Sequence, residues 1–389
     1  MLDFLFLAKP YVLDILSFAQ QYALPFIVVI SAVVFVHEFG HYLAARACGI
    51  RVESFSIGFG RKLFGWTDKS GTVWQVACLP LGGYVKMFGD ADAASTPDES
   101  VKTMTEAEKK ISFFHQNVGK RMIVVGAGPL SNYLFAIIAL AVLFMFWGQP
   151  FSPPVVSALM EKSVAERGGL LAGDKVLSID GKEIIRFEDI KRIIGMNSGV
   201  PAEVVVDRAG EQKTFTLTPE ISVQKDRFGG EQRVGRIGIY SEKIERIKRS
   251  PLQAIYYATI ESWNISADTL AAVGQIIKGT RGSEEIGGPL RIAEMSGRIA
   301  QDGFWALVWF TAIISINLGL INIFPVPLLD GGHLLFFSLE KLLGRPINEK
   351  AQETGLRIGF VLVVSLMLFA TWNDLVHLEI ISKITKIFS

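Results

Sequence analysis

The sequence predicts a polytopic α-helical membrane protein with about four transmembrane helices and one small water-soluble domain inserted between them. The apolar residues are concentrated in four long runs, and a helix needs about 20 such residues to cross a bilayer. These runs are residues 22–45, 121–147, 304–329 and 356–372. Residues 152–240 differ, because they combine short alternating segments with turn glycines and mixed charge. That pattern is typical of a small folded domain in water.

Composition excludes several classes of protein. The chain has 389 residues, 50% of them hydrophobic, and a formal net charge of +1, so no whole-chain attraction to nucleic acid is implied. Its 2 cysteines, Cys48 and Cys78, form no Cys-x-x-Cys pair, which indicates free thiols and excludes a disulfide-built scaffold. No G-x-x-x-x-G-K-[ST] motif is present, so no nucleotide is expected as a partner. We interpret Gly126-x-Gly128, within the second run, as close helix packing and not as a dinucleotide fingerprint.

Basic residues predict which side of the membrane each loop faces. Residues 46–120 and 330–355 contain clusters of Lys and Arg, whereas residues 148–161 contain none. The positive-inside rule places the two basic loops in the cytoplasm. Both termini and the inserted domain are then expected on the opposite side.

The first run leads into "VVISAVVFVHEFGHYLAARACGI", residues 28–50, without a small-residue cleavage site, so we expect a retained span. Residues four apart share one face of a helix. His37 and His41 can therefore offer imidazole nitrogens to one metal ion, with Glu38 beside them as a general base. A chance match is the alternative for so short a motif. An ionisable residue near the middle of a membrane costs on the order of 3 kcal/mol, which favours the functional interpretation.

Catalytic zinc normally takes three protein ligands and leaves the fourth position for water, so the motif requires one more ligand. His115, His333 and His377 are candidates, but we favour Asp330 in "NIFPVPLLDGGH", residues 322–333. Two prolines break the third span there at membrane depth, which is tolerated where the backbone lines a cavity or is buried in protein. Asp330 then lies on the same cytoplasmic side as the histidine motif. The alternative is an aspartate that serves only as a turn residue before Gly-Gly.

Three stretches together resemble the site-2 protease family: HEFGH in the first span, "GPLSN" at 128–132 in the second, and "NIFPVPLLDGG" in the third. The order of parts is similar to that of the bacterial RseP-type intramembrane zinc metalloproteases. The resemblance implies one Zn²⁺ per chain, held by His37, His41 and Asp330, with Glu38 activating water. It also implies a multi-pass protein of the bacterial inner membrane, with the inserted domain and both termini periplasmic and the active site towards the cytoplasm.

The resemblance further implies which molecules the protein meets. Its substrates would be single-pass membrane proteins, such as anti-sigma factors or remnant signal peptides, cleaved within the lipid bilayer by regulated intramembrane proteolysis. Asn322 matches the asparagine that assists substrate binding in the family. A helix–helix hydrogen bond is an equal alternative for this residue.

The stretch "GTVWQVACLPLGGYVKMFG", residues 71–89, is rich in β-forming residues and overlaps the turn signal "DKSG". A transmembrane substrate arrives as a helix with every backbone group bonded, and an exposed strand edge could replace those bonds by strand addition. The resemblance agrees, because the family carries a membrane-associated β element at the matching "LGGYVKM". It assigns substrate binding to Gly82, Gly83, Tyr84 and Val85. The alternative is an ordinary cytoplasmic hairpin.

Within the inserted domain, "SVAERGGLLAGDKVLSIDGKEI", residues 163–184, resembles a PDZ domain. PDZ domains bind peptides by adding a strand to a sheet edge, and we interpret Gly168, Gly169, Leu170 and Leu171 as the peptide loop. The RseP type carries two tandem PDZ domains, whereas this sequence has one. The domain could be a receptor for a free carboxyl terminus or a filter that excludes substrates with large outer domains, and we favour the filter.

The expected organisation has four parts. Residues 1–150 hold the first two spans and the β element, 151–245 the PDZ-like domain, 246–303 an amphipathic helical segment at the interface, and 304–389 the last two spans. Two other functions compete with a protease. A catalytically inactive scaffold that binds partners through its PDZ domain would have no need of intact metal-binding residues in lipid. A transporter would need the paired broken helices of an inverted repeat.

Overall fold

The computed structural model describes residues 19–91, 98–225, 231–241, 245–279, 282 and 286–377. Both chain termini, which are predicted to be periplasmic, lie outside these residues. The described residues cluster into two compact units. The first draws on residues 1–142, 255–269 and 287–389, and the second on residues 143–254 and 270–286.

The described residues contain ten α-helices and twelve strands. The helices are α1 (Leu24–Ala47), α2 (Glu106–Ile111), α3 (Val118–Leu143), α4 (Val164–Arg167), α5 (Phe187–Met196), α6 (Pro251–Ile277), α7 (Pro289–Gln301), α8 (Phe304–Ile323), α9 (Asp330–Leu343) and α10 (Glu349–His377). The strands are β1 (Val52–Thr67), β2 (Val73–Met87), β3 (Gln149–Phe151), β4 (Ala158–Leu159), β5 (Lys175–Ile179), β6 (Lys182–Glu183), β7 (Ala202–Arg208), β8 (Glu211–Leu217), β9 (Glu220–Lys225), β10 (Glu231–Arg236), β11 (Ile239–Tyr240) and β12 (Glu245–Ile247).

Four of the described helical segments are long and apolar enough to cross a bilayer, and they overlap the four predicted runs. They are Gln20–Ala47, Val118–Gly148, Phe304–Ile323 and Lys350–Val376. The third helix is shorter than the predicted run, which extended to residue 329. It ends at Ile323 because Phe324 adopts an extended conformation before Pro325, and the proline ring disfavours the helical region for the residue that precedes it.

The apolar helices approach one another closely where glycines stand at their crossings. A Cβ atom built on Gly40 of α1 would lie 2.4 Å from the backbone oxygen of Ala127 and 2.5 Å from Oγ of Ser131, both in α3. A Cβ atom on Gly319 of α8 would lie 3.0 Å from the backbone oxygen of Pro129. Small residues of this kind let membrane helices pack closely. Helix α3 is thereby held between α1 and α8.

Strands β1 and β2 form a bent antiparallel sheet that the sequence predicted only in its second half. Residues 52–57 pair on one side with residues 83–87 and on the other with residues 73–76, which also pair with residues 64–67. In the described part of the chain, no further strand pairs with residues 83–87, so they form an edge of the sheet.

The amphipathic helical segment predicted at residues 246–303 contains α6 and α7. Asp374 of α10 accepts hydrogen bonds from the backbone N–H groups of Gly288, Leu290 and Arg291, at 2.8, 3.0 and 3.1 Å. The first N–H groups of a helix have no partner within it, so this carboxylate supplies the cap that α7 needs. Helix α7 is therefore tied to the last apolar helix.

The second unit contains the short strands predicted for residues 152–240. Its main sheet has the antiparallel order β6-β5-β7-β8, and separate pairs join β9 to β10, β4 to β11 and β3 to β12. The core is apolar and includes Val156, Leu170, Val176, Ile190, Val204 and Leu217. Arg208 donates hydrogen bonds of 2.7 Å to each carboxylate oxygen of Asp174, and this holds the pKa of Asp174 below its usual value.

The predicted peptide loop is hydrogen-bonded within its own domain. The backbone N–H groups of Gly168, Gly169 and Leu170 donate to backbone oxygens of α4, and that of Leu171 donates to the Asp174 carboxylate at 2.8 Å. Leu170 is 1% exposed and lies in the core, whereas Leu171 is 52% exposed. The geometry of residues 168–171 is therefore that of a structural turn, with its donors already used.

This difference predicts unequal effects of two neighbouring substitutions. Leu170→Ala should lower the free energy of unfolding of the inserted domain by about 3 kcal/mol, because it leaves a cavity in the core. Leu171→Ala, the matched control, should change it by less than about 0.5 kcal/mol. Hydrogen exchange of the domain within the full chain measures both values. Equal effects of the two substitutions would contradict this account of the loop.

Candidate metal centre

The histidine motif lies in α1 and presents both rings on one face. His37 and His41 are each 8% exposed. Their ring centroids are 4.8 Å apart with the planes at 87°, and their Nε2 atoms are 3.2 Å apart. The spacing of the motif predicts this convergence, because residues four apart lie one helical turn from each other.

Helix α3 holds both rings at their other nitrogens. Nδ1 of His41 lies 2.9 Å from the backbone oxygen of Val124. A carbonyl oxygen only accepts hydrogen bonds, so His41 carries a proton on Nδ1, which leaves Nε2 as the atom that can bind a metal ion. Nδ1 of His37 lies 3.2 Å from the side-chain amide of Asn132.

Asp330 reaches the histidines from the break that follows α8. Helix α9 begins at Asp330, after a segment in which Leu328 has φ 92°, a left-handed conformation that a leucine rarely adopts. The two glycines that follow are required because the backbone of the preceding segment passes too close for a side chain. A Cβ atom on Gly331 would lie 2.1 Å from the backbone oxygen of Phe324, and one on Gly332 would lie 2.4 Å from that of Val326. The predicted break and its Gly-Gly pair thus fold back tightly and carry the carboxylate to α1.

The three predicted ligands come together at the spacing of a tetrahedral site. Nε2 of His37 lies 3.1 Å from Oδ2 of Asp330, and Nε2 of His41 lies 3.5 Å from its Oδ1. Ligand atoms at about 2.0–2.1 Å from a tetrahedral zinc ion lie roughly 3.3 Å from one another. The distances in the site fall on both sides of this value.

A buried carboxylate oxygen of Asp330 also indicates that the site suits a cation. Oδ2 of Asp330 is buried and accepts no hydrogen bond, although Nε2 of His37 is 3.1 Å away. A buried carboxylate oxygen without a donor is costly, whereas a divalent cation between these three atoms satisfies it. Two imidazoles and one carboxylate are a ligand set that zinc takes in catalytic sites. The residues therefore fit zinc.

A glycine in the second predicted motif makes room for the rings. A Cβ atom on Gly128 of α3 would lie 2.3 Å from Nε2 of His41 and 2.9 Å from Cε1 of His37. Any side chain at this position would occupy the space of the imidazoles. The glycine of "GPLSN" is thus part of the site.

The other histidines are not grouped with the ligands. His115 lies 3.3 Å from the Ser112 hydroxyl and is not among the residues that line the site. His333 lines the same cavity, but it does not belong to the group of three converging ligand atoms. The side chain of His377 lies outside the part of the structure that can be described.

A cavity of about 130 Å³ adjoins the three ligands. It is lined by the histidine motif, the edge of β2 and the start of α9: His37, Glu38, His41, Gly83, Tyr84, Val85, Met87, Phe113, Val125, Leu328, Asp330 and His333. A Cβ atom on Gly83 would lie 3.0 Å from Cγ of Glu38, so the strand edge passes directly beside the predicted base.

Two predicted substrate residues have different positions. Asn322 lies beside the ligands, with its Nδ2 3.5 Å from Nε2 of His37. Gly82 does not line the cavity. It lies against the ring of Phe59, where an added Cβ atom would come within 2.4 Å. A contact of Gly82 with substrate stays a prediction.

Comparison with known families decides the class of the protein. The profile of peptidase family M50 matches residues 25–366, which contain the histidine motif and Asp330. The chain belongs to this family, the site-2 proteases.

Relatives of this site-2 protease carry names of the same kind. It is 42% identical over 364 residues to a protein of Agrobacterium fabrum named as an inferred zinc metalloprotease, with 92% of this chain and 97% of the relative covered. It is 34% identical over 385 residues to the metalloprotease MmpA of Caulobacter vibrioides, with 93% and 97% covered. The protein is accordingly a zinc-dependent metalloprotease, and the inactive scaffold and the transporter are not supported.

Solved structures give likenesses over about a quarter of the chain. One is the PDZ domain of an SdrC-like protein from Listeria monocytogenes, at 17% identity and a TM-score of 0.19, covering 24% of this chain and 90% of that chain. The PDZ domain of an SdrC-like protein from Listeria innocua has 19% identity and a TM-score of 0.20, with 24% and 98% covered.

Sequence reasoning missed the contributions of α3 to this site-2 protease centre. From the sequence, Gly128 is predicted to allow close helix packing and belongs to a family motif, Asn132 is only part of that motif, and Val124 carries no recognised signal. One signal was available, because Asn132 is a polar residue in an apolar run and lies four positions after Gly128, on the same helix face.

The geometry distinguishes Asp330, the predicted third ligand, from His333, which lines the same cavity. Asp330→Ala should remove most of the bound zinc, because it deletes one of three ligand atoms, whereas His333→Ala should retain the zinc. Elemental analysis of the purified variants measures zinc per chain. Full occupancy in Asp330→Ala, or loss of zinc from His333→Ala, would exclude Asp330 as the ligand.

Proposed function

We propose that this site-2 protease hydrolyses peptide bonds of membrane-protein substrates at or within the bilayer, with one zinc ion per chain held by His37, His41 and Asp330. The observation that carries this proposal is the spacing of their ligand atoms, 3.1, 3.2 and 3.5 Å, beside a cavity lined by an open strand edge. Helices α1 and α8, which lead to these ligands, are long and apolar enough to cross a bilayer.

Glu38 is proposed as the general base. When zinc is bound, it polarises a carbonyl group and lowers the pKa of a water molecule. The Glu38 side chain lines the cavity next to His37 but lies outside the group of ligand atoms. Its carboxylate can therefore take a proton from the attacking water and deliver it to the leaving amine. Asn322, whose Nδ2 lies 3.5 Å from Nε2 of His37, is proposed to donate a hydrogen bond to the substrate.

The substrate is proposed to bind as an added strand on residues 83–87. A transmembrane helix must unwind to expose a peptide bond, and each unwound backbone group then needs a new partner. Residues 83–87 pair on one side with residues 52–57 and form the edge of the sheet. Gly83, Tyr84 and Val85 on this edge line the cavity with Glu38. Strand addition here would carry a scissile bond past the ligands.

The far end of the same sheet supports a membrane-associated β element. Leu63, Phe64 and Trp66 are 69%, 65% and 52% exposed, and they follow the basic residues Arg61 and Lys62. Exposed apolar side chains next to cationic ones are typical of a segment that lies at a membrane interface. The sheet would then meet substrates at the level where the first span ends.

The location is proposed from charge and connectivity. The basic loops that follow the first and third apolar helices would face the cytoplasm of a bacterial inner membrane, and the inserted domain would face the periplasm. The bacterial origin of the relatives agrees with this membrane. Single-pass membrane proteins are the proposed substrates, with anti-sigma factors and remnant signal peptides as examples.

The inserted domain is proposed to act as a filter on substrates with large outer domains. A receptor for a free carboxyl terminus at residues 168–171 would need unbonded backbone N–H groups. All four of these groups already donate within the domain. This hydrogen bonding supports the filter over the receptor.

The role of Glu38 is tested without disturbing the ligands. Glu38→Gln should keep the zinc content of the wild type and lower the rate of cleavage by at least about 100-fold, as expected for loss of a general base. Glu161→Gln, at an exposed glutamate of the inserted domain, is the matched control. Zinc analysis and cleavage of a purified helical membrane peptide give both values. Cleavage by Glu38→Gln at the wild-type rate would refute the mechanism.

Strand addition is tested at Val85. Val85→Pro removes a backbone donor and restricts φ, so cleavage of a helical substrate should fall about tenfold or more, while zinc stays bound. Val85→Ala keeps the backbone donor and should retain most activity. Equal activity of the two zinc-loaded variants would contradict strand addition and favour an ordinary hairpin.

The filter is tested by deletion of residues 152–240. Strands β3 and β12 pair with each other and remain, so the deletion closes the chain with a short connection. Long substrates with intact outer domains should then be cleaved, whereas the filter predicts that the wild-type enzyme leaves them uncut. Loss of all cleavage with the apolar helices still folded would favour the receptor, and unchanged substrate choice would contradict both roles.

A further inference from the structure

Asn132 is a fully buried polar side chain with one oxygen that lacks a hydrogen-bond partner. It lies in α3, is 0% exposed, and its amide is 3.2 Å from Nδ1 of His37. Its Oδ1 atom is buried and has no hydrogen-bond partner. A buried carbonyl oxygen without a donor is costly, so this orphaned atom calls for a physical explanation.

The neighbouring ring shows which protonation a ligand at this site requires. His41 carries its proton on Nδ1, because that atom faces the backbone oxygen of Val124 at 2.9 Å. Its Nε2 atom therefore has the lone pair that a metal ion needs. His37 presents Nε2 to the same point, 3.2 Å away, and needs the same protonation to be a ligand.

The orientation of the Asn132 amide determines whether His37 can have that protonation. If the amide nitrogen faces His37, Nδ1 must accept and the proton of a neutral ring lies on Nε2, among the ligand atoms. The oxygen and nitrogen of a carboxamide have nearly the same shape, so their assignment follows from the hydrogen-bond network. Exchanging the two keeps one hydrogen bond between the side chains and gives the orphaned Oδ1 a donor.

We propose that the side-chain oxygen of Asn132 accepts the Nδ1 proton of His37 and so fixes His37 as an Nε2 ligand for zinc. Asn132 is then a positioning residue. It accepts the Nδ1 proton of His37, as the Val124 carbonyl accepts that of His41. This inference rests on the proposed role of His37 as a zinc ligand. Partners of this kind orient the ring of a metal-bound histidine and select its tautomer.

The backbone around Asn132 is held independently of its amide. The hydroxyl of Ser315 in α8 donates to the backbone oxygen of Asn132 at 3.0 Å, and both residues are fully buried. Ser315 therefore provides a matched control, since its removal alters the packing of the same residue but leaves the amide and the ring in contact.

Zinc affinity, measured by competition with a chelator, tests the proposal in the full-length protein. Asn132→Leu should weaken zinc binding by about 10–100-fold, because the ring loses its acceptor. Asn132→Asp retains an acceptor and has no donor, so it should bind zinc within a fewfold of the wild type. Ser315→Ala should bind zinc as the wild type does. Wild-type affinity in Asn132→Leu, equal losses in Asn132→Asp and Asn132→Leu, or an equal loss in Ser315→Ala would overturn the proposal.

A second measurement needs no variant. The chain has 5 histidines, so ¹⁵N labelling of histidine alone resolves the protonation of each ring by NMR. Both zinc-bound imidazoles should carry a proton on Nδ1 and bind the metal through Nε2. A zinc-bound ring with its proton on Nε2 would refute the role of Asn132. Absence of zinc from the wild-type protein would instead refute the proposed function, so the two failures are distinguishable.

Discussion

A carboxylate and two imidazole rings lie together at the ends of apolar helices, where water is scarce and charge is costly to bury. The side chain of Asp330 is 16% exposed, and its Oδ2 atom has no hydrogen-bond donor. Such a group destabilises a fold unless a cation compensates it. Three donor atoms separated by 3.1, 3.2 and 3.5 Å provide the position for that cation. The rest of the membrane part can be understood as the structure that keeps these atoms at this spacing.

Close backbone contact is the means by which the helices do so. Gly40 brings α1 against α3, Gly128 leaves space for both imidazoles, and the Gly331–Gly332 pair lets the broken segment fold back. Helix α3 then contacts each ring at the nitrogen that does not face the metal position. The ion pair between Arg121 of α3 and Glu340 of α9 joins the two helices at 2.5 Å and helps to position the helix that carries Asp330. Several weak local contacts thus define a site that no single element could build.

The parts that were predictable from sequence depend on local chemistry. Apolar runs long enough for a bilayer, a His-x-x-x-His spacing and two prolines before Asp330 each have consequences within a few residues, and the structure bears these out. Contacts between distant residues were not predictable in this way. The polar character of Asn132 marks it as unusual in an apolar run, but nothing local shows that Asn132 and Val124 face His37 and His41. The pairing of residues 52–57 with both residues 73–76 and residues 83–87 likewise depends on contacts between distant residues. The loop at 168–171 matched a motif, but its hydrogen bonds depend on neighbours that the motif does not include.

The ligand set of the zinc site is the central claim, and X-ray absorption at the zinc edge of the purified wild-type protein tests it most directly. The account predicts one zinc per chain with only nitrogen and oxygen neighbours, at about 2.0–2.2 Å, two of them with the scattering pattern of imidazole. A sulfur neighbour at about 2.3 Å, which would implicate Cys48 or Cys78, would contradict it. So would a site with three imidazoles, because only His37 and His41 converge with Asp330 in the described structure.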